Sequence, residues 1–223
     1  MTGAGEPLQA RGEYRYYKNG QLQPIAESWR QGGDAAGERW LESERCIDSG
    51  LIIASRANLR GNLVSRVSLS WRAASCVIEA HYDRERGLCQ WQLAGGESQS
   101  MAIPPAVPLY PLMRIYTGAV IKELAELGGE ADIVIPDIRP QTAEREKLQP
   151  LLSRRRCQYL GTADIDLQGR VRRAEKWRFS GDQYRAGSEF LLSDSGRLLR
   201  YDWQQDAQSQ WRVELVEQPL AAD

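Results

Sequence analysis

The chain has 223 residues, more than the ~100–200 of an ordinary domain but within what β sandwiches and barrels reach as one unit. Hydrophobic residues make up 42% and charged residues 26%, enough apolar surface for a substantial core, which excludes disorder beyond the ends. A balance of 29 Lys and Arg against 30 Asp and Glu excludes the long-range basic field that nucleic acid or an anionic membrane surface requires.

Residues 1–7 show neither the basic start nor the apolar stretch of a secretory signal, and no run approaches the ~20 apolar residues of a membrane-spanning helix. The expectation is therefore a cytoplasmic chain without integral membrane association. Residues 1–12 are expected to form a flexible N-terminus ahead of a single β domain. The four cysteines are widely separated, without a Cys-x-x-Cys pair, and there is one histidine, so neither a metal site nor a disulfide framework is implied. Seven Trp and nine Tyr stand against two Phe. Trp and Tyr join a large apolar face to a hydrogen-bonding tip and so suit a wall that is partly wet.

Short alternating segments separated by turn signals recur along the chain, the pattern of a sandwich or barrel. Residues 13–17 and 22–31 flank Asn19-Gly20, a strong hairpin signal because both positions tolerate positive φ. Residues 38–46, 51–58 and 63–71 follow as strands. In the last, Val67, Leu69 and Trp71 share one face, opposite Ser68 and Ser70. A further hairpin, 76–83 with 88–94, sets Ile78, Ala80, Tyr82 and Trp91 on one face and His81 beside Glu79 on the other.

Pro104, Pro105 and Pro108 then end the ladder, since proline lacks the N–H donor, and open a Pro-rich helical insertion over 104–153. Apolar residues at helical spacing predict an amphipathic helix over 112–127, stopped by Gly128-Gly129. A short buried strand over 131–135 ends at Pro136, and 142–148 reads as a helical turn opened by a Thr142 cap. The second half is a meander of strands over 157–167, 170–180, 183–193, 197–205 and 210–217. Its turn lengths place Val171, Trp177 and Phe179 on the face of Tyr184, Ala186, Phe190 and Leu192, next to Leu199, Tyr201 and Trp203.

Charges fall on that apolar face. Arg173, Glu175 and Ser188 lie on it, the Gln168-Gly169 turn sets Asp164 opposite Arg173, and Glu27 is a similar inward charge between Ile25 and Trp29. Buried charges need partners, so these residues either form a structural network or line a solvated cavity. The candidate ligand-binding set is Trp29, Trp71, Trp91, Asp164, Arg173, Glu175, Trp177, Tyr184 and Trp203. Arg154-Arg155-Arg156 reads as the solvated start of a strand. There is no P-loop, Gly-x-Gly-x-x-Gly, paired-His metal motif or Gly-x-Ser-x-Gly elbow, so no nucleotide cofactor, metal or hydrolase triad is implied.

Antiparallel hairpins, a Pro-rich helical insertion and a meander carrying Gly181-Asp182-Gln183-Tyr184 and the run 192–203 form an order that resembles bacterial half-barrel families similar to LolA-type lipoprotein carriers and related lipid- or glycolipid-binding proteins. The resemblance implies the fold and an apolar cavity. The sequence thus predicts an all-β protein with one or two helices, a curved antiparallel sheet of half-barrel or barrel-like form capped by an amphipathic helix. Three functions stay open: binding of a small apolar or amphipathic molecule in an aromatic-lined cavity, acid–base catalysis on an apolar substrate by Glu175, Asp164 or Glu27, and a protein-interaction module without a cavity.

Overall fold

A computed structural model describes residues 8–33, 38–47, 50–139, 141–181 and 188–218. The alternating segments form β1 (Leu8–Lys18), β2 (Gln21–Gly33), β3 (Arg39–Ile47), β4 (Leu51–Arg60), β5 (Leu63–Arg72), β6 (Val77–Asp83), β7 (Leu88–Leu93) and β8 (Gln99–Ala102). After the insertion come β9 (Glu130–Pro136), β10 (Pro150–Leu167), β11 (Arg170–Ser180), β12 (Ser188–Leu192), β13 (Leu198–Asp206) and β14 (Ser209–Gln218). All fourteen belong to one curved antiparallel sheet in the order β8-β7-β6-β5-β4-β3-β2-β1-β14-β13-β12-β11-β10-β9. β1 pairs with both β2 and β14, so the first and last strands meet in the middle. The edges β8 and β9 do not pair, and the sheet is curved without closing.

Turn chemistry sets the register where it was expected to. Asn19 and Gly20 take φ of 51° and 79°, and Gln168 and Gly169 take 57° and 76°, the left-handed conformation of tight hairpins. Asp164 pairs with Arg173, and Phe190 with Tyr201, as the loop lengths require. Asp182, the rest of its turn and Tyr184 lie outside the described residues. β1 begins at Leu8, so 8–12 form ladder where a flexible N-terminus was expected. Arg11 pairs with Gln218 on one side and Arg30 on the other, and a segment paired on both sides satisfies its backbone.

The chain between β8 and β9 leaves one edge, crosses the concave face and rejoins at the other. It carries a 3₁₀ turn, Arg114–Tyr116, and the helix α1, Thr117–Glu126. The helix is shorter than the expected 112–127 because Leu112 has φ 60° and turns its carbonyl to accept from Arg45 Nη2 at 2.7 Å. At the other end Gly128 and Gly129, with φ of 90° and 88°, stop the helix, and the Gly129 N–H donates to Leu124 O at 2.8 Å. Of the expected turn over 142–148 only Glu144–Glu146 is helical, and Ala143 is its N-cap. Thr142 Oγ1 donates instead to Asp137 at 2.9 Å. β10 starts at Pro150, so the basic triplet lies inside a strand. Arg154 and Arg156 are exposed and pair with Glu130, whereas Arg155 is buried.

One hairpin inverts its faces. In β11 the buried residues are Phe179 and Trp177, then Ala174 of the opposite face, and Ile165 and Leu167 are buried across from it on β10. The ladder shifts register between Tyr159 and Gly161, and Gly161 has φ 111°. A bulge of this kind adds a residue and increases the local twist, so beyond it the hairpin turns its other face to the body. Gln168 Nε2 then reaches Leu215 O at 3.2 Å.

Gly118 sets the seat of α1. An added Cβ there would lie 1.7 Å from the backbone oxygen of Gly196 in the β12–β13 turn, so only hydrogen fits between the two backbones. Gly118→Ala is expected to destabilise the protein by about 1–3 kcal/mol, the usual cost of overpacking, measured by urea denaturation. A variant as stable as the parent would show that the helix does not dock this closely.

Candidate functional site

The inward face is built by alternation, and its aromatic residues carry cations. Trp29, Trp71, Trp91 and Trp177 are all buried. The Arg197 guanidinium lies 4.6 Å from the Trp29 ring centre, Lys147 Nζ 4.9 Å from Trp71 and Lys122 Nζ 5.2 Å from Trp177. The tyrosines use their tips: Tyr14 OH donates to Leu198 O at 3.0 Å, Tyr82 OH to Leu148 O at 2.5 Å, and Tyr116 OH to Leu41 O at 2.9 Å. The indole N–H groups of Trp29 and Trp91 find no acceptor among the described residues. The predicted tryptophans are therefore inward but dispersed, and Trp29, Trp71 and Trp177 each lie under a cation from a different segment.

Glu27 is the centre of the buried polar network. It is 0% exposed and accepts five hydrogen bonds: from Tyr16 OH at 2.9 Å, Ser43 Oγ at 3.3 Å, Arg45 Nε at 2.9 Å and Nη2 at 2.7 Å, and the Arg114 backbone N–H. Burial opposes the Arg45 charge, but Tyr16 and Glu27 outweigh it and hold the guanidinium above its ordinary pKa. Burial pushes the Tyr16 phenol up to about 12, with Glu27 adding to the rise and Arg45 opposing it. The sequence placed Glu27 inward but did not reveal Arg45, although Glu27 and Arg45 are direct cross-strand partners. Matching them needs the length of the β2–β3 connection, for which the sequence carried no register signal.

Glu175 is half-buried and bound to Lys122 of α1, with Trp177 Nε1 donating to the same oxygen at 2.9 Å. Burial works to raise its pKa, yet the Lys122 and Trp177 hydrogen bonds prevail and hold it below the ordinary value. Its partner is thus a helix lysine and not Arg173. Arg173 and Asp164 are exposed, and Val171, expected inward, is 74% exposed, because the hairpin has inverted beyond Gly161. His81 is exposed on the outer face as alternation placed it, with Ser68 Oγ 3.0 Å from its Nδ1.

Trp203 belongs to a ladder of rings. Phe179 meets Phe190 edge-on at 5.5 Å, Phe190 stacks on Tyr201 at 4.7 Å, Tyr201 on Trp203 at 4.9 Å, and Trp203 on Trp211 at 5.3 Å. The first three are fully buried, whereas Trp203 and Trp211 are half-buried. Lys18 Nζ stands 5.7 Å from the Trp211 ring. Trp211 was not singled out in the sequence, although the Gln210 to Asn19 contact across the β1–β2 turn fixes its strand beside Lys18.

The described residues pack closely on the inner face. Where Val67, Leu69, Tyr82 and Tyr110 converge, only about 10 Å³ is open, no more than the minimum of roughly 10–15 Å³ for one water molecule. Larger concavities lie on the surface. One of about 680 Å³ crosses the outer face of β2–β6 over Ser28, Glu42, Ala54, Arg56, Ser68 and His81. Another, of about 510 Å³, opens beside the inverted hairpin. Among the described residues no three His, Cys, Asp or Glu side chains gather as a metal site, and no helix is long and apolar enough to cross a membrane.

No protein-family model matches the chain, and no curated protein matches it. Among solved structures it is similar to the crystal structure of a beta-barrel-like protein of Domain of Unknown Function DUF1849 from Brucella abortus, with a TM-score of 0.52 and 9% sequence identity over 96% of this chain and 98% of that one. The likeness spans nearly the whole of both chains and concerns the fold alone, a barrel-like architecture, without singling out LolA-type carriers.

Glu27→Gln leaves the buried Arg45 without its counter-charge, and a loss of about 3–5 kcal/mol is expected, as for other broken buried pairs. Glu175→Gln removes a partly exposed pair and is expected to cost less than about 1 kcal/mol. Urea denaturation of both variants checks the order, and equal losses would contradict it. The folded Glu175 carboxyl lies below its ordinary value of 4.5. Its contribution is therefore complete above pH ~4.5 and is lost as the pH falls through the lower folded value, a loss that Glu175→Gln should not show.

Proposed function

We propose that the protein is a binding module that receives the apolar part of a small amphipathic molecule on the Trp203–Trp211 end of its inner face. The observation that supports this is the ring ladder, which runs from the packed core to two stacked, half-buried indoles. Stacked indoles offer a flat apolar platform at low conformational cost, and Lys18 beside Trp211 supplies a cation for a polar head. The ligand lies against the sheet and is not enclosed by it, since α1 and its flanking chain occupy the concave face. The resemblance of the sequence order to half-barrel lipid carriers motivates the choice of an apolar ligand, and the solved structure the protein is similar to is of a domain of unknown function. The four cysteines are unpaired, which fits a reducing, cytoplasmic compartment.

The carboxylates considered for catalysis are otherwise engaged: Glu27 is saturated with donors, Glu175 is bound to Lys122, and Asp164 faces solvent. The closely packed inner face also favours a second reading, a protein-interaction module whose partner covers the same two indoles.

Titration with 1-anilinonaphthalene-8-sulfonate is expected to saturate at one site and quench tryptophan emission. The Trp203→Ala/Trp211→Ala double variant should keep its far-ultraviolet circular dichroism and lose that binding. A folded parent protein that binds no such probe would overturn the small-molecule reading and leave the interaction module.

A further inference from the structure

The opposite end of β14 holds a differently built site. Beyond the Gly161 bulge, the inverted β10–β11 hairpin brings Arg170 and Arg172 to the ends of β1 and β14, where Arg11 and Arg197 stand. The four arginines line a cleft of about 510 Å³ whose wall includes the buried side chains of Leu167 and Leu215. One acid shares the cleft. Glu217 binds Arg172 Nη2 at 2.8 Å and Arg197 Nη1 at 3.1 Å, so a single carboxylate serves two guanidiniums, and Arg170 has no carboxylate partner among the described residues. In a chain with formal net charge -1, this concentration of one sign in one concavity stands out.

The cleft is preformed. Gln168 at the hairpin tip is tied to Leu215 O, and Arg197 is held over the Trp29 ring at 4.6 Å. Guanidinium groups match the oxygens of phosphate and carboxylate with paired N–H donors, and low-dielectric walls focus the field of like charges gathered in a cleft. Arg170, Arg172 and Arg197 set against Glu217 leave a surplus of positive charge, which favours a doubly charged oxyanion. The chain's overall neutrality leaves no extended basic track for a polyanion.

We propose that this cleft binds the phosphate group of a small phosphorylated molecule, with Arg170 and Arg172 as its principal ligands and Leu167 and Leu215 beside the group that carries the phosphate. The site is independent of the indole platform. Glu217 lies six residue steps along β14 from Trp211, ~20 Å at the ordinary strand rise.

The test is isothermal titration of the intact protein, at matched ionic strength, with inorganic phosphate, glycerol 3-phosphate and monomeric dihexanoyl phosphatidic acid. One-to-one binding of at least one probe is expected. Arg170→Gln, at an exposed hairpin tip, should weaken it by about tenfold or more, as loss of a charge-assisted hydrogen bond does, with the melting temperature unchanged. Arg178→Gln, exposed on β11 outside the cleft, should leave affinity as it was. Binding of inorganic phosphate as tight as that of the esters identifies a free-anion site, and binding confined to phosphatidic acid identifies a lipid headgroup. Both outcomes support the shared chemistry. Absence of binding by all three probes at millimolar concentration, or equal loss in Arg170→Gln and Arg178→Gln, overturns it.

Discussion

The arrangement of this protein depends on a single buried carboxylate. Glu27 on β2 accepts from Tyr16 on β1, from Ser43 and Arg45 on β3, and from the backbone of Arg114 where the insertion begins its helical turn. Arg45 in turn donates to Leu112 O. The insertion leaves and rejoins the sheet only at its two edges, β8 and β9. The Glu27–Arg45 pair anchors it at the middle, where the strands themselves offer no pairing. Two charges removed from water are tolerated because the main hydrogen-bonding directions of the carboxylate are filled. That requirement fixes where α1 can start.

The same economy explains the aromatic composition. The abundance of Trp and Tyr over Phe suggested a wet wall around a cavity, yet the described aromatic residues of the inner face pack against one another and the crossing segment. The polar tips and faces serve other elements instead. Tyrosine hydroxyls bind backbone carbonyls of the insertion and turns, and lysines and arginines from α1, the 147 region and the β12–β13 turn sit over indole faces. Each such contact contributes about 0.5–2 kcal/mol depending on desolvation, and each joins a crossing segment to the sheet. Phenylalanine could fill the same volume but could not make the tyrosine hydrogen bonds.

Besides the outer-face concavity, a curved sheet whose concave face is occupied presents the ends of its strands for recognition. At one end the ring ladder emerges as Trp203 and Trp211. At the other, the hairpin inversion beyond Gly161 gathers arginines over a small apolar floor. The two ends differ in chemistry because the inner face that surfaces at the first is apolar. The second is made by strand faces that alternation alone would assign to opposite sides.

The sequence by itself determined the fold class, most of the turns and every strand but β8, with β10 read too short, because period-two alternation and positive-φ residues such as Asn19-Gly20 and Gln168-Gly169 act locally. It also determined that Glu27, Trp29, Trp71, Trp91 and Trp177 face inward and His81 outward. Only the tertiary structure decided what those inward groups meet. Arg45, Lys122, Lys147 and Arg197 reach their partners across strands or from the crossing segment, and such pairings depend on curvature and on long connections that carry no periodic signal. Arg173, Asp164 and Val171 were misplaced for a related reason. The ladder shifts register at the Gly161 bulge, and toward the hairpin tip the buried face is that of Ala174, Ile165 and Leu167, where Gln168 meets Leu215, a contact 47 residues away in the chain.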